Sequence, residues 1–188
     1  DVASGGRFNL GVGVGGEIPR EFEACGVPLN ERGARTNEAL ELTSRLWTEK
    51  AVTYEGRFNT LHDVSIAPRP ISQPMPPIWV SGRKDAAMRR VARYGDGWLP
   101  YMYTAEHLRD SVVRIAELRA EYGRTEPVRT GLFIFFCVHP NRETAVQMAV
   151  RRLSKQYAQD FSPLVGKYAL AGTPDDVVAQ LQPYLAAG

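Results

Sequence analysis

Residues Pro77–Pro100, PIWVSGRKDAAMRRVARYGDGWLP, decide the fold. Ile78, Trp79 and Val80 form a short apolar run rich in β-branched and aromatic side chains, and Pro76 and Pro77 fix where it begins, which predicts a buried parallel strand. From Asp85 onward Met88, Val91, Ala92 and Gly95 recur at helical spacing, with Arg89, Arg90 and Arg93 mostly between them, so a short amphipathic helix follows. Gly95-Asp96-Gly97 ends that helix and Trp98-Leu99 opens another extended run. A second parallel strand after a helical crossover is the economical topology. The turn Ser81-Gly82-Arg83-Lys84 then falls where a strand's carboxyl end meets a helix N-terminus. There the first backbone N–H groups lack internal partners and carry the positive end of the dipole, which favours phosphate. Gly82 lets an anion approach the backbone, while Arg83 and Lys84 add one forked and one mobile cation. The same four residues also fit a plain tight turn with two solvated bases.

The pattern continues on both sides. Arg7–Val14 alternates apolar and small residues and reads as a strand running into Gly15-Gly16 and a loop. Glu31–Lys50 is helical, with Ala39, Leu40, Leu42, Leu46 and Trp47 on the apolar face. Residues 51–76 form an excursion, with short strands around Glu55-Gly56-Arg57-Phe58 and a rigid, extended end set by prolines 68, 70, 74, 76 and 77. After the strand Trp98–Met102, Thr104 caps a helix carrying Leu108, Val112, Ile115, Leu118 and Tyr122, which Gly123 closes. Strand Val128–His139 follows, then a helix capped by Asn141. Thr173-Pro174-Asp175-Asp176 opens a last helix with an N-cap, a proline at the first position and acids in the first turn. Strands alternating with helices predict a parallel sheet covered by helices, either open or part of a barrel, and four strands are too few to close one.

The chain has 188 residues, 23 basic and 21 acidic, for a net charge of +2. This length ordinarily holds one domain and has room for two, and no basic cluster is interleaved with aromatics, so nucleic acid is set aside as a partner. The longest apolar run, Leu132–Val138, is too short to span a bilayer and the first residues lack a signal-peptide pattern, so no membrane association and a cytoplasmic location are expected. Cys25 and Cys137 suggest neither a disulfide framework nor a zinc knuckle, and His62, His107 and His139 lack metal-ligand spacing; both cysteines read as reduced and structural, and no metal is expected.

Gly11-Val12-Gly13-Val14-Gly15-Gly16 formally satisfies G-x-G-x-x-G. Its context does not fit a dinucleotide site: Pro19 interrupts any helix starting in the motif, and helix begins only at Glu31. A glycine-lined strand end against a ligand, or merely close strand–helix packing, remains. No nucleophile elbow, catalytic triad or Walker loop is present. Glu17, Glu21, Asp63 and Asp96 could carry protons, but nothing singles one out; Asp96, between two glycines, reads as a turn residue or N–H acceptor.

Taken together, several segments resemble the luciferase-like monooxygenase family, flavin- or F420-dependent oxidoreductases with a TIM-barrel fold. They are Ser4-Gly5-Gly6-Arg7-Phe8 leading into Leu10-Gly11-Val12-Gly13, Glu21-Phe22-Glu23-Ala24 with Gly26-Val27-Pro28, and Glu31-Arg32-Gly33-Ala34-Arg35 running to Leu46-Trp47. Tyr54-Glu55-Gly56-Arg57-Phe58, Pro68-Arg69-Pro70, Pro77–Gly82, Asp96–Pro100 and Ala171-Gly172-Thr173-Pro174 complete the ordered set. The resemblance implies one partial α/β domain over residues 1–188: an incomplete (β/α)8 TIM barrel, approximately strands four to seven with their helices, and residues 51–76 as the insertion after helix four. The chain opens at Asp1 without a methionine and stops at Ala186-Ala187-Gly188, and on this mapping both ends are cut.

The resemblance further implies that Gly13, Val14 and Gly15 line a cofactor site at the strands' carboxyl ends, and that Ser81, Gly82, Arg83 and Lys84 hold the cofactor phosphate. Many members carry a hydroxyl residue where Lys84 stands, and an aromatic or acidic one where Gly16 stands, so no catalytic residue transfers. The implied function is hydride transfer or monooxygenation of a small organic substrate with F420 or FMN, F420 being slightly favoured. A homo-oligomer, or a need for the remaining barrel half, is expected. Two other readings stand beside it: a non-catalytic half-barrel fragment that binds phosphate weakly or dimerises through strand edges, and an α/β phosphosugar-binding protein.

Overall fold

The computed structural model describes residues 1–16 and 18–187, so Glu17 and Gly188 lie outside the described residues. In chain order the elements are β1 (Leu10–Val12), α1 (Pro19–Ala24), a 3-10 turn (Leu29–Glu31), α2 (Arg32–Thr48), β2 (Val52–Glu55), β3 (Thr60–Val64), β4 (Ile78–Val80) and α3 (Asp85–Tyr94). They continue with β5 (Gly97–Trp98), α4 (Ala105–Glu121), β6 (Arg129–Thr130), β7 (Phe135–Val138), α5 (Arg142–Tyr157), α6 (Val165–Tyr168), β8 (Ala169–Gly172) and α7 (Pro174–Leu185).

Strands β1, β4, β5 and β6 form one parallel sheet in that spatial order. Leu10 pairs with Ile78 and Val12 with Val80, and Val80 pairs in turn with Trp98. The Pro77–Pro100 segment therefore forms the parallel strand, crossover helix and second strand that its sequence predicts. The described strands do not close into a barrel. The excursion is an antiparallel hairpin of β2 and β3. Its turn is fastened to α2 by the buried Glu38 carboxylate, which accepts the Arg57 and Phe58 N–H groups at 2.9 and 3.0 Å and the Asn59 amide at 2.9 Å.

The predicted strand Val128–His139 is divided. Its first part follows β5, through β6, the Gly131 and Phe133 N–H bonds to the Trp98 and Pro100 carbonyls, and a parallel bridge from Tyr101 to Phe133. Beyond that point Met102, at φ 52°, turns the β5 side away into α4, and β7 takes β8 as its parallel partner instead. Ala169–Gly172 contains no β-branched residue, so local propensity gives no sign of β8.

Ile78, Val80, Val91, Trp98, Leu108 and Ile115 pack with Leu40 into the main core between the sheet and helices α2 to α4. A second core joins α5, α6 and β8 through Leu153, Phe161, Val165 and Ala169. Arg90 departs from the amphipathic reading of its helix: it is buried, its Nε donating to Asn37 Oδ1 at 2.7 Å and its terminal nitrogen to the Gly33 carbonyl at 3.2 Å, which ties α3 to α2. Burial lowers its pKa from the ordinary arginine value. Asp96 serves as the N–H acceptor its context indicates. One carboxylate oxygen accepts the Ile78 N–H at 3.0 Å and the other pairs with Arg124 at 2.9 Å.

Candidate functional site at the carboxyl ends of the first strands

The carboxyl ends of β1 and β4 lie side by side, with the Ser81 Cβ about 4.0 Å from where a Cβ on Gly13 would stand. Two adjoining cavities open there. One, of about 390 Å³, is lined by Gly13, Val14, Gly15 and Gly16 together with Glu21, Phe22 and Cys25. The other, of about 700 Å³, includes Ser81, Gly82, Arg83 and Lys84 in its lining. Val14 and Arg32 border both. The structure thus brings the seven residues singled out from the sequence to one end of the sheet.

The two glycine segments differ in character. Gly15 has φ 87°, and a Cβ there would lie 2.6 Å from the Phe22 ring, so this strand end is covered by α1. Close packing, one of the alternatives open for the glycine run, describes that position. Gly82 has φ 129°, and a Cβ there would lie 2.6 Å from the Ala87 Cβ, so a side chain could occupy neither the backbone conformation nor the space. The turn consequently enters α3 with Lys84 as N-cap and no side chain capping the first N–H groups. Asp85, the acid of the first turn, has its carboxylate engaged by Arg89 at 2.8 Å and Arg114 at 3.6 Å.

The larger cavity is strongly cationic: Arg32, Arg83, Lys84 and Arg90 border it and no described carboxylate does. These residues suit an anionic group such as a phosphate, with backbone donors at the head of α3 and mobile cations around it. Arg83 and Lys84 are exposed, and the Arg83 guanidinium lies 4.9 Å from the Tyr101 ring centroid, within cation–π range. Trp98, by contrast, is fully buried and meets the turn from beneath, its Nε1 donating to the Gly82 carbonyl at 3.0 Å. Arg32 was not legible as a lining residue. It reaches both cavities from the first position of α2, where it donates to the Gly16 carbonyl at 3.1 Å and lies 5.8 Å from the Phe22 ring centroid of α1, in a region that reads as a loop. Cys25 is a free thiol, exposed beside the smaller cavity. Among the described residues no three His, Cys, Asp or Glu side chains cluster as metal ligands. No described helix is long and apolar enough to cross a membrane.

A parallel sheet with helical crossovers and a basic turn at its carboxyl edge defines a protein of the α/β class. The chain belongs to the luciferase-like monooxygenase family, whose profile matches residues 1–188. It is 28% identical to the F420-dependent glucose-6-phosphate dehydrogenase of Amycolatopsis mediterranei, over all of this chain and 63% of that protein. An uncharacterized protein of Mycobacterium tuberculosis is 37% identical over 65% of this chain and 41% of its own length. The monooxygenase RslO1 of Streptomyces bottropensis superposes with a TM-score of 0.81 at 27% identity, covering 97% of this chain and 59% of that one. An F420-dependent secondary alcohol dehydrogenase bound to an F420–acetone adduct has the same TM-score at 19% identity, covering 97% of this chain and 62% of that one, and shares the fold. The chain thus spans about two fifths to three fifths of the length of these relatives.

Proposed function

We propose that this chain forms one wall of the cofactor site of an oxidoreductase that uses F420 or FMN to act on a small organic substrate. The Ser81–Lys84 turn grips the cofactor phosphate, and Gly13, Val14 and Gly15 border the space beside it. The observation that carries this reading is the cationic cavity of about 700 Å³ at the uncapped head of α3, into which Gly82 brings bare backbone. The bound cofactor would supply hydride transfer or, as reduced flavin, oxygen activation. The chain's own residues bind and orient it: Lys84 and Arg83 neutralise the phosphate, and the α3 amides donate hydrogen bonds to its oxygens. F420 is favoured over FMN, in line with the names of several relatives.

A second reading rests on the apolar face of β7, where Phe136 is 72% and Val138 45% exposed. On that reading the remaining walls of the site belong to structure beyond this chain, which by itself binds phosphate weakly or associates through its strand edges. Fluorescence titration of F420 and FMN with the chain separates the two. Saturable quenching at micromolar cofactor supports the cofactor wall as sufficient for binding. Quenching that does not saturate below about 1 mM, an affinity of roughly −4 kcal/mol, supports the second reading.

A further inference from the structure

We propose that Tyr103 is a positioning residue for the phosphate-gripping turn, acting with Trp98 by holding two successive carbonyls of that turn in the core. The inference rests on the reading of the turn as a phosphate site. Trp98 Nε1 donates to the Gly82 carbonyl at 3.0 Å, and Tyr103 Oη donates to the Arg83 carbonyl at 3.0 Å. Both peptides, Gly82–Arg83 and Arg83–Lys84, are trans and planar, so each N–H points away from the carbonyl of its own peptide. With both carbonyls held by Trp98 and Tyr103, the Arg83 and Lys84 N–H groups are directed the other way, and we infer that they face the cationic cavity that these residues line. Two adjacent amides aimed at one space form an anion-binding concavity.

The clamp is itself fixed. A carbonyl cannot donate, so the single Tyr103 hydroxyl proton goes to Arg83, and the Ser111 hydroxyl, 3.3 Å away, donates to Tyr103 Oη. Ser111 is buried on α4, and Tyr103 is 6% exposed. Trp98 and Tyr103 pack edge to face, with ring centroids 5.4 Å apart, and Tyr184 on α7 donates to the Tyr103 carbonyl at 3.0 Å. Three separate elements thus converge on a residue that touches the turn only through its backbone. Tyr103 does not line the cationic cavity, so its contribution there is confined to the part of the ligand that the turn's amides reach.

The test compares FMN with riboflavin, which has the same ring system and no phosphate, on the full chain and its Tyr103→Phe and Ser111→Ala variants. The parent chain is expected to bind FMN more tightly than riboflavin. Tyr103→Phe, which keeps the ring and deletes the donor, is expected to weaken FMN by about three- to tenfold, the worth of one hydrogen bond, and to leave riboflavin within about twofold. Ser111→Ala is expected to narrow the FMN preference in the same direction by a smaller factor, and it serves as the test should Tyr103→Phe not fold. A variant that keeps the whole FMN preference, or loses both ligands equally, overturns the role of Tyr103. A parent chain with no FMN preference overturns the phosphate reading of the turn instead.

Discussion

At Gly82 the backbone takes a conformation that no other residue holds at low cost, and the space beside it is filled by Ala87. Gly82→Ala is therefore expected to destabilise the chain by about 1–3 kcal/mol, combining backbone strain with a steric clash. Urea unfolding followed by tryptophan fluorescence reads this directly, and a change under about 0.5 kcal/mol would contradict the strain. Arg90 makes the opposite point about legibility. Among three arginines spaced along α3 it is the buried one, and only the fold shows that Asn37 and Gly33 on α2 stand opposite to receive it. Arg90→Ala leaves those acceptors without their donor and is expected to cost about 2 kcal/mol in the same assay. Trp98 reads from the sequence as the start of a strand. It is a core residue whose indole N–H supports the pocket's turn.

Among the elements, the helix starts were the most legible, because a cap is a local arrangement. Thr104 accepts the His107 N–H, Asn141 the Thr144 N–H, and Thr173 forms a reciprocal capping box with Asp176. The partner exchange from β5 to β8 was not legible, since it depends on Met102 turning the chain away some thirty residues earlier. The hairpin of the excursion was legible as two strands, but its anchor was not. Glu38 sits nineteen or more residues from the turn it holds. Desolvation pushes the Glu38 pKa up, but hydrogen bonds from Asn59, Phe58 and Arg57 together outweigh it and leave the value lowered. A lowered carboxylate pKa contributes stability that is fully present above the unfolded-state value and is lost as pH falls through the folded one. The stability gap between the parent and Glu38→Gln is expected to be flat near neutrality and to shrink below about pH 4. A gap that widens in acid would contradict the hydrogen-bonding account.

For the whole molecule, the alternation of strand and helix was enough to give a parallel sheet, because a parallel pair requires a long crossover and a helix supplies it. The convergence of Gly13–Gly15 and Ser81–Lys84 follows from the same topology: once β1 and β4 pair in parallel, the loops after them must share an edge. The cationic groove across that edge was only half legible, since Arg32 joins it from the head of α2 and Arg90 through its tie to α2. Binding of a cofactor phosphate by the Ser81–Lys84 turn is the central claim. It is tested most directly by measuring FMN and riboflavin affinities of the parent chain and of Arg83→Ala combined with Lys84→Ala by fluorescence titration. The expected result is a loss of about tenfold or more in FMN affinity, the removal of at least one charge-assisted contact, with riboflavin nearly unchanged. Equal losses for the two ligands, or none for either, would contradict it.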